Sequence, residues 1–282
     1  MVRRVRSQDA DGIFSCVCGS AGALMRLVLI ERGAAGCAAC GIFLHRNAMA
    51  KKNKGRKNAK RKLTRRVASR GTEPKRVRAI LAKLDEAYPA ATCALRHSDP
   101  FQLLISTILS AQCTDERVNI VTQSLFPKYP TPKDFAYANP RELEQDIRPT
   151  GFFRNKTKSI MGASKRIIEE FGGKVPDTME DILTLPGVAR KTANVVLGTA
   201  YGIASGVVVD THVQRVSGRL DLTKNADPKK IEQDLIKVIP QDRWILFSHQ
   251  IIWHGRRVCQ ARKPRCVECN LERICYSKDK TV

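Results

Sequence analysis

The sequence predicts an all-α fold, and three observations lead to it. Apolar residues recur at helical spacing in Val77, Ile80, Leu81 and Leu84, in Leu103, Leu104, Ile108 and Ala111, and through residues 160–171 and 231–239. Apart from a short apolar stretch at 207–209, no segment alternates polar and apolar residues as a hairpin strand would. Breaks at Pro130, Pro132, Pro140, Gly172, Gly173, Pro186, Gly187, Gly202 and Pro240 divide the chain from Pro74 onward into helices of ordinary length.

A chain of 282 residues can form one large or two small domains and bury a substantial core without a disulfide scaffold. Its formal net charge of +23 and pI near 10.0 point to a polyanionic partner, with nucleic acid the leading candidate. Residues 1–70 carry 17 Lys/Arg against 3 Asp/Glu, which leaves 33 against 24 for residues 71–282. The body is therefore basic without its tail. No apolar run approaches the roughly 20 residues that span a bilayer, because Arg26, Glu31 and Arg32 interrupt the segment at 12–44. That segment also lacks the charged, apolar, small-residue order of a secretory signal, so a cytoplasmic, nucleoid-associated setting with no membrane is expected. Ten cysteines in such a compartment stay reduced, which favours metal ligation wherever they cluster.

Residues 1–48 show neither period and hold two loose pairs, Cys16/Cys18 and Cys37/Cys40. Those spacings differ from zinc and iron–sulfur motifs. Met49 is followed by the basic run Lys51, Lys52, Lys54, Arg56, Lys57, Lys60, Arg61, Lys62, Arg65, Arg66 and Arg70, which looks like a natural N-terminus. Residues 1–48 are accordingly read as a mis-called upstream start, and residues 1–71 as a disordered basic extension. The run either gives sequence-independent affinity for DNA or is a solvated tail.

Leu185-Pro186-Gly187-Val188-Ala189-Arg190-Lys191-Thr192 reads as a hairpin turn between two helices, the first ending near Leu185 and the second running from about Ala189 to Ala200. Pro stops the first helix and Gly permits the tight turn. The free N–H groups opening the second helix then face outward as an anion site, with Arg190, Lys191 and Thr192 beside it. The segments LPGVARKTANVVLGTAYG and VVVDTHVQRVSGRLDL resemble the helix-hairpin-helix and adjoining catalytic segment of the endonuclease III family, and the similarity extends over residues 72–278. Two departures stand out: the second hairpin glycine is Ala189 here, and the segment between Lys191 and Asp210 is one residue longer than in some relatives.

The resemblance implies a bifunctional DNA glycosylase and abasic-site lyase of base excision repair, acting as a monomer on double-stranded DNA that contains oxidised pyrimidines or abasic sites. It makes Lys191 the nucleophile and Asp210 its carboxylate partner. The chemistry agrees, since excision at a sugar C1′ with strand cleavage needs an imine, and only an amine forms one. A lysine has an ordinary pKa of about 10.4, so burial and a neighbouring cation such as Arg190 are expected to lower it. Asp210 is suited to accept a proton from the lysine and to stabilise the positive charge that builds on the sugar. Simpler roles also exist: Lys191 as a phosphate ligand, and Asp210 as N-cap of a helix over 211–220. His212 is either a structural contact or a residue of the cleft.

A base must leave the stack before Lys191 can reach C1′, and a side chain must fill the gap. The segment Ser110-Ala111-Gln112-Cys113-Thr114-Asp115 resembles the family loop whose Gln enters the duplex, which makes Gln112 the candidate. Phe152 aligns with the apolar wedge on the opposite strand, and the turn Thr150-Gly151 before it favours that role over the alternative that Phe152 or Phe153 serves the core. Gly187, Ala189, Arg190, Thr192 and His212 complete this set of expected DNA contacts.

Cys259, Cys266, Cys269 and Cys275 are separated by six, two and five residues. Spacing alone leaves zinc and a [4Fe-4S] cluster both open; the resemblance matches the family's cluster loop gap for gap and implies the [4Fe-4S] cluster. Arg262, Lys263 and Arg265, with Arg256 and Arg257, surround the first two ligands and are expected to meet the DNA backbone. Cys93 and Cys113 lie outside the pattern and are read as buried small apolar residues. The family further implies two helical domains with a DNA groove between them: residues 93–204 with the hairpin, and residues 72–92 plus 205–282 with the cluster loop. A monofunctional glycosylase of the same superfamily has no amine at the position of Lys191. A non-catalytic iron–sulfur DNA-binding redox protein would release no base.

Overall fold

Side-chain caps and N-terminal prolines set where most of the helices begin. The computed structural model describes residues 71–281, so the expectations for the basic run, for residues 1–48 and for Cys16, Cys18, Cys37 and Cys40 lie outside the described residues. Among the described residues eleven α-helices follow one another: α1 (Pro74–Ala87), α2 (Pro100–Leu109), α3 (Asp115–Lys128), α4 (Pro132–Ala136), α5 (Pro140–Asp146), α6 (Phe153–Phe171), α7 (Met179–Ile182), α8 (Arg190–Tyr201), α9 (Thr211–Arg219), α10 (Pro228–Val238) and α11 (Trp244–Arg257). Short 3₁₀ turns occupy Arg148–Thr150, Gln241–Arg243, Cys266–Glu268 and Glu272–Ile274. There is no strand among the described residues.

Five of these helices start on proline, whose missing N–H is no loss in a first turn. Asp99, Thr114, Thr131, Asn139, Thr178, Asp210 and Asp227 cap helices with side-chain oxygens, and Thr131 and Asp134 form a reciprocal capping box. Gly172 and Gly202 close α6 and α8 in the left-handed conformation. Two details depart from the sequence reading. Helix α2 ends at Leu109, which leaves Ala111 exposed beyond it rather than on its apolar face. Residues 207–209 are buried as extended coil without a partner strand.

Apolar side chains gather in two clusters within one compact unit. The first is centred on α2, where Leu103, Leu104, Ile105 and Leu109 are fully buried, as befits a helix apolar on nearly every face. Residues of α3 to α8 surround it. The second joins α1 to residues 207–209 and to α9, α10 and α11, with Phe247 and Ile251 fully buried. Polar ties bind its parts: the buried guanidinium of Arg76 in α1 donates to the carbonyls of Leu220 (2.7 Å) and Ile274 (2.7 Å), and stacks 4.1 Å from the Tyr276 ring centre.

Candidate active site

The hairpin runs from α7 to α8. Helix α7 ends at Ile182, earlier than the Leu185 expected, and Leu185 and Val188 are buried on either side of Pro186 and Gly187. Gly187 has φ +78°, and a Cβ there would lie 2.5 Å from the Cβ of Ser159 on α6, so only glycine fits. Ala189 has φ −102° and ψ 169°, ordinary extended backbone in which alanine meets no strain. It makes no side-chain cap, so the first-turn N–H groups of α8 are left for an outside acceptor.

Lys191 at the start of α8 and Asp210 at the start of α9 line the same recess of about 90 Å³. Its walls come from both apolar clusters: Leu95 and Val195 from the first, Trp253 and Ile252 from the second. Asp210 is half-buried and caps α9, its Oδ1 accepting from the Val213 N–H at 2.8 Å. The capping role expected of it is therefore present, and the carboxylate's other oxygen makes no hydrogen bond among the described residues.

The setting expected for Lys191 differs in two respects. Its side chain is exposed rather than buried. The Arg190 guanidinium turns to Glu232 of α10, 2.8 Å away, and not to Lys191. Glu232 is buried, and it also accepts from Asn194 at 2.9 Å, so this carboxylate pins the first turn of α8 against α10. Removing it would orphan the Nδ2 of Asn194 and the half-exposed guanidinium of Arg190, while Asn194 Oδ1 keeps its bond from Ser205. Glu232→Ala is expected to lower stability by about 1–3 kcal/mol, read as a shift of the urea midpoint at unchanged slope.

His212 does not line the recess. It packs against Gly255, and its Nδ1 lies 3.2 Å from an Arg215 guanidinium nitrogen, a donor that suits the neutral ring. Burial holds its pKa below the usual histidine range; the Asp210 carboxylate opposes that shift, and Arg215 and Arg256 assist it. The recess instead contains His249, which sequence reasoning did not single out and whose pKa is also lowered by burial, and the ion pair Asp115–Arg256 at 2.6 Å, in which Arg256, expected at the DNA backbone, turns to the carboxylate that opens α3. The only sequence signal for His249 is a polar residue set between apolar positions of α11. Cys93 also lines the recess; like Cys113 it is half-buried against the first cluster, not fully buried as expected.

Gln112 and Phe152 flank a second recess, also lined by Ser159 and Gly187 of the hairpin region. Both adopt the left-handed conformation, with φ +54° and +47°, which is uncommon for side chains other than glycine. Phe152 is 62% exposed, whereas Phe153 packs on the first cluster. Thr192 is half-buried behind the hairpin.

Cys259, Cys266, Cys269 and Cys275 line one pocket. Two arginines of α9 brace the loop: Arg215 donates to the carbonyls of Gly255 and Cys259, and Arg219 donates to Cys259 Sγ (3.3 Å) and to the carbonyls of Gln260 (2.6 Å) and Ala261 (2.9 Å). Burial pushes the Cys269 thiol up to about 11, and its three cysteine neighbours add to the shift. Among the described residues no three of these side chains are placed to hold a single metal ion, whereas four thiols around one pocket are a donor set suited to a larger multi-metal cluster. Arg262 and Lys263 on this loop are exposed, while Arg265 is paired with Glu268 at 3.1 Å.

An all-α fold with an amine and a carboxylate lining one recess beside a helix-hairpin-helix goes together here with a match to a class of base excision DNA repair proteins. Residues 105–241 match the HhH-GPD superfamily of base excision DNA repair proteins. The chain is 58% identical over 215 residues to endonuclease III of Synechocystis sp., covering 76% of this chain and 97% of that protein. It is 39% identical over 201 residues to endonuclease III of Escherichia coli K12, covering 71% of this chain and 95% of that one. A solved structure of a trapped endonuclease III–DNA covalent intermediate, an estranged-adenine complex, superposes with TM-score 0.69 at 42% identity, over 72% of this chain and 95% of the other. A thermostable thymine-DNA glycosylase shares the fold at TM-score 0.65 and 23% identity. The chain belongs to the endonuclease III family.

Proposed function

We propose that this protein is a bifunctional DNA glycosylase and abasic-site lyase that removes oxidised pyrimidines from double-stranded DNA, working as a monomer in the cytoplasm at the nucleoid. The observation that carries the reading is the convergence of Lys191 and Asp210 on one recess beside the hairpin. The lysine Nζ, as the free amine, attacks C1′ of the extruded nucleotide while the C1′–N bond to the base breaks and the base leaves with the electron pair. Loss of the ring oxygen bond gives an imine. Removal of a C2′ proton then expels the 3′ phosphate by β-elimination, and water releases the product from Lys191. The Asp210 carboxylate faces the positive charge that develops on the sugar.

The hairpin's free N–H groups at Gly187, Ala189 and Thr192, with Arg190, suit a backbone phosphate, and Gln112 and Phe152 fill the gap left by the extruded nucleotide. His212, behind the recess, supports the α9 side of the site. Arg262, Lys263 and Arg265 serve the flanking backbone. The two apolar clusters are read as the two domains, residues 93–204 and residues 72–92 plus 205–282, with DNA in the groove at their junction.

The four cysteines would hold a [4Fe-4S] cluster, which supplies rigidity to the loop rather than a step of the reaction. Cys266→Ala should leave little iron and acid-labile sulfide on the purified protein and open residues 259–275 to protease, both measurable without an activity assay. The function itself is tested by base release from duplexes bearing thymine glycol or other oxidised pyrimidines, and by strand cleavage at a bare abasic site. Release of an oxidised pyrimidine with strand cleavage supports the reading. Tight binding of all three with neither release nor cleavage would sink it.

A further inference from the structure

Lys156, near the start of α6, is only 5% exposed, although an ammonium is costly to bury. No carboxylate compensates it among the described residues. Its Nζ donates instead to two main-chain carbonyls, Leu109 O at 2.7 Å and Thr150 O at 2.8 Å. Leu109 ends α2 and Thr150 ends the 3₁₀ turn Arg148–Thr150, so both carbonyls belong to helix C-termini that lack partners of their own and favour a cation. Just beyond each, the chain enters the left-handed conformation, at Gln112 and at Phe152. The Lys156 N–H also donates to the Phe152 carbonyl at 3.1 Å, and Lys156, Gln112 and Phe152 line one recess.

We propose that Lys156 is a positioning residue whose buried ammonium locks the roots of the Gln112 and Phe152 loops at a fixed separation, so that two segments distant in sequence act as one wedge in the duplex. This inference rests on the functional reading above. An apolar side chain of similar length would leave both helix-end carbonyls buried without a donor, so the one ammonium satisfies the roots of both loops at once. The lysine supplies direction: one ammonium with tetrahedral donors sets the angle between two loop ends, and both left-handed residues hold their unusual backbone only while those ends are fixed.

The test compares Lys156→Met with the native protein on two substrates: thymine glycol paired in a duplex, where a nucleotide must be extruded, and an abasic site in single-stranded DNA, where nothing opposes extrusion. Misplacing a positioning group by about 1 Å costs on the order of 100-fold. The expected result is a loss of about 10- to 100-fold in kcat/KM on the paired lesion against less than about 3-fold on the single strand. In a Gln112→Ala/Phe152→Ala background the further loss on the duplex should vanish, because the wedge is already gone. Lys156→Arg, which keeps the cation, should recover part of the duplex activity. Should Lys156→Met not fold, the same comparison is read on Lys156→Gln. Equal losses on both substrates, or a full additional loss in the double-alanine background, would overturn the positioning role. A native protein that releases no base and forms no adduct overturns the functional reading itself, and with it this inference; a normal native protein with an unselective variant overturns the inference alone.

Discussion

Lys191→Ala is expected to lower strand cleavage by at least about 10⁴-fold and to abolish covalent capture of DNA, because on the proposed mechanism its amine is the atom that bonds to C1′ and no other lysine lines the recess. Binding should change little. The side chain is exposed and makes no hydrogen bond or ion pair among the described residues, so its removal orphans nothing there, and alanine is a good residue for the first turn of α8. The phosphate-facing N–H groups of that turn belong to the backbone and survive the substitution. Single-turnover cleavage alongside an equilibrium binding titration separates the two effects. A variant that cleaves at a native rate would move the nucleophile elsewhere.

Asp210 caps α9 and, on the proposed mechanism, also faces the sugar; two substitutions tell these roles apart. Asp210→Asn keeps an oxygen able to accept from the Val213 N–H, as Asp210 does now at 2.8 Å, so α9 should stay capped and the melting temperature nearly constant. Asp210→Ala loses the cap, at about 1 kcal/mol, which corresponds to roughly 2–4 °C in a domain of this size. Both lose the negative charge that faces the sugar, and both should release base about 10²- to 10³-fold more slowly. The expected pattern is one common catalytic loss with two different melting temperatures. A catalytic loss confined to the alanine variant would make Asp210 a cap and nothing more.

Local signals in the sequence reached far into the fold. Proline at a first helical position and a Ser, Thr, Asp or Asn just before it are properties of adjacent residues, so helix starts such as those of α2, α4 and α10 are written where they occur. The hairpin is legible for the same reason, and the left-handed φ of Gly187 is what its proline–glycine pair announces. The four cysteines are close in sequence and line one pocket. Ala111 misled because apolar spacing does not register a helix end: α2 stops at Leu109 and the next left-handed residue, Gln112, turns the chain away.

Side-chain direction was less legible, because it depends on partners far along the chain. Arg190 was expected to act on Lys191, but a buried carboxylate 42 residues later claims its guanidinium. Nothing near Lys156 in sequence indicates that its ammonium spans to a carbonyl 47 residues earlier. The neighbours Phe152 and Phe153 could not be told apart by type; the left-handed backbone at Phe152 leaves its ring exposed while Phe153 packs inward. His249, which faces the recess, sits amid the apolar period of α11 and looks like any polar interruption of a helix.

The most direct test of the central claim is borohydride reduction of the native protein on a thymine glycol duplex, followed by peptide mapping of the captured adduct. A single DNA-linked peptide modified at Lys191, absent when Lys191→Ala replaces the native chain, is the result expected. An adduct mapped to another lysine, or one that persists in the variant, would contradict the assignment of Lys191 as the imine-forming nucleophile.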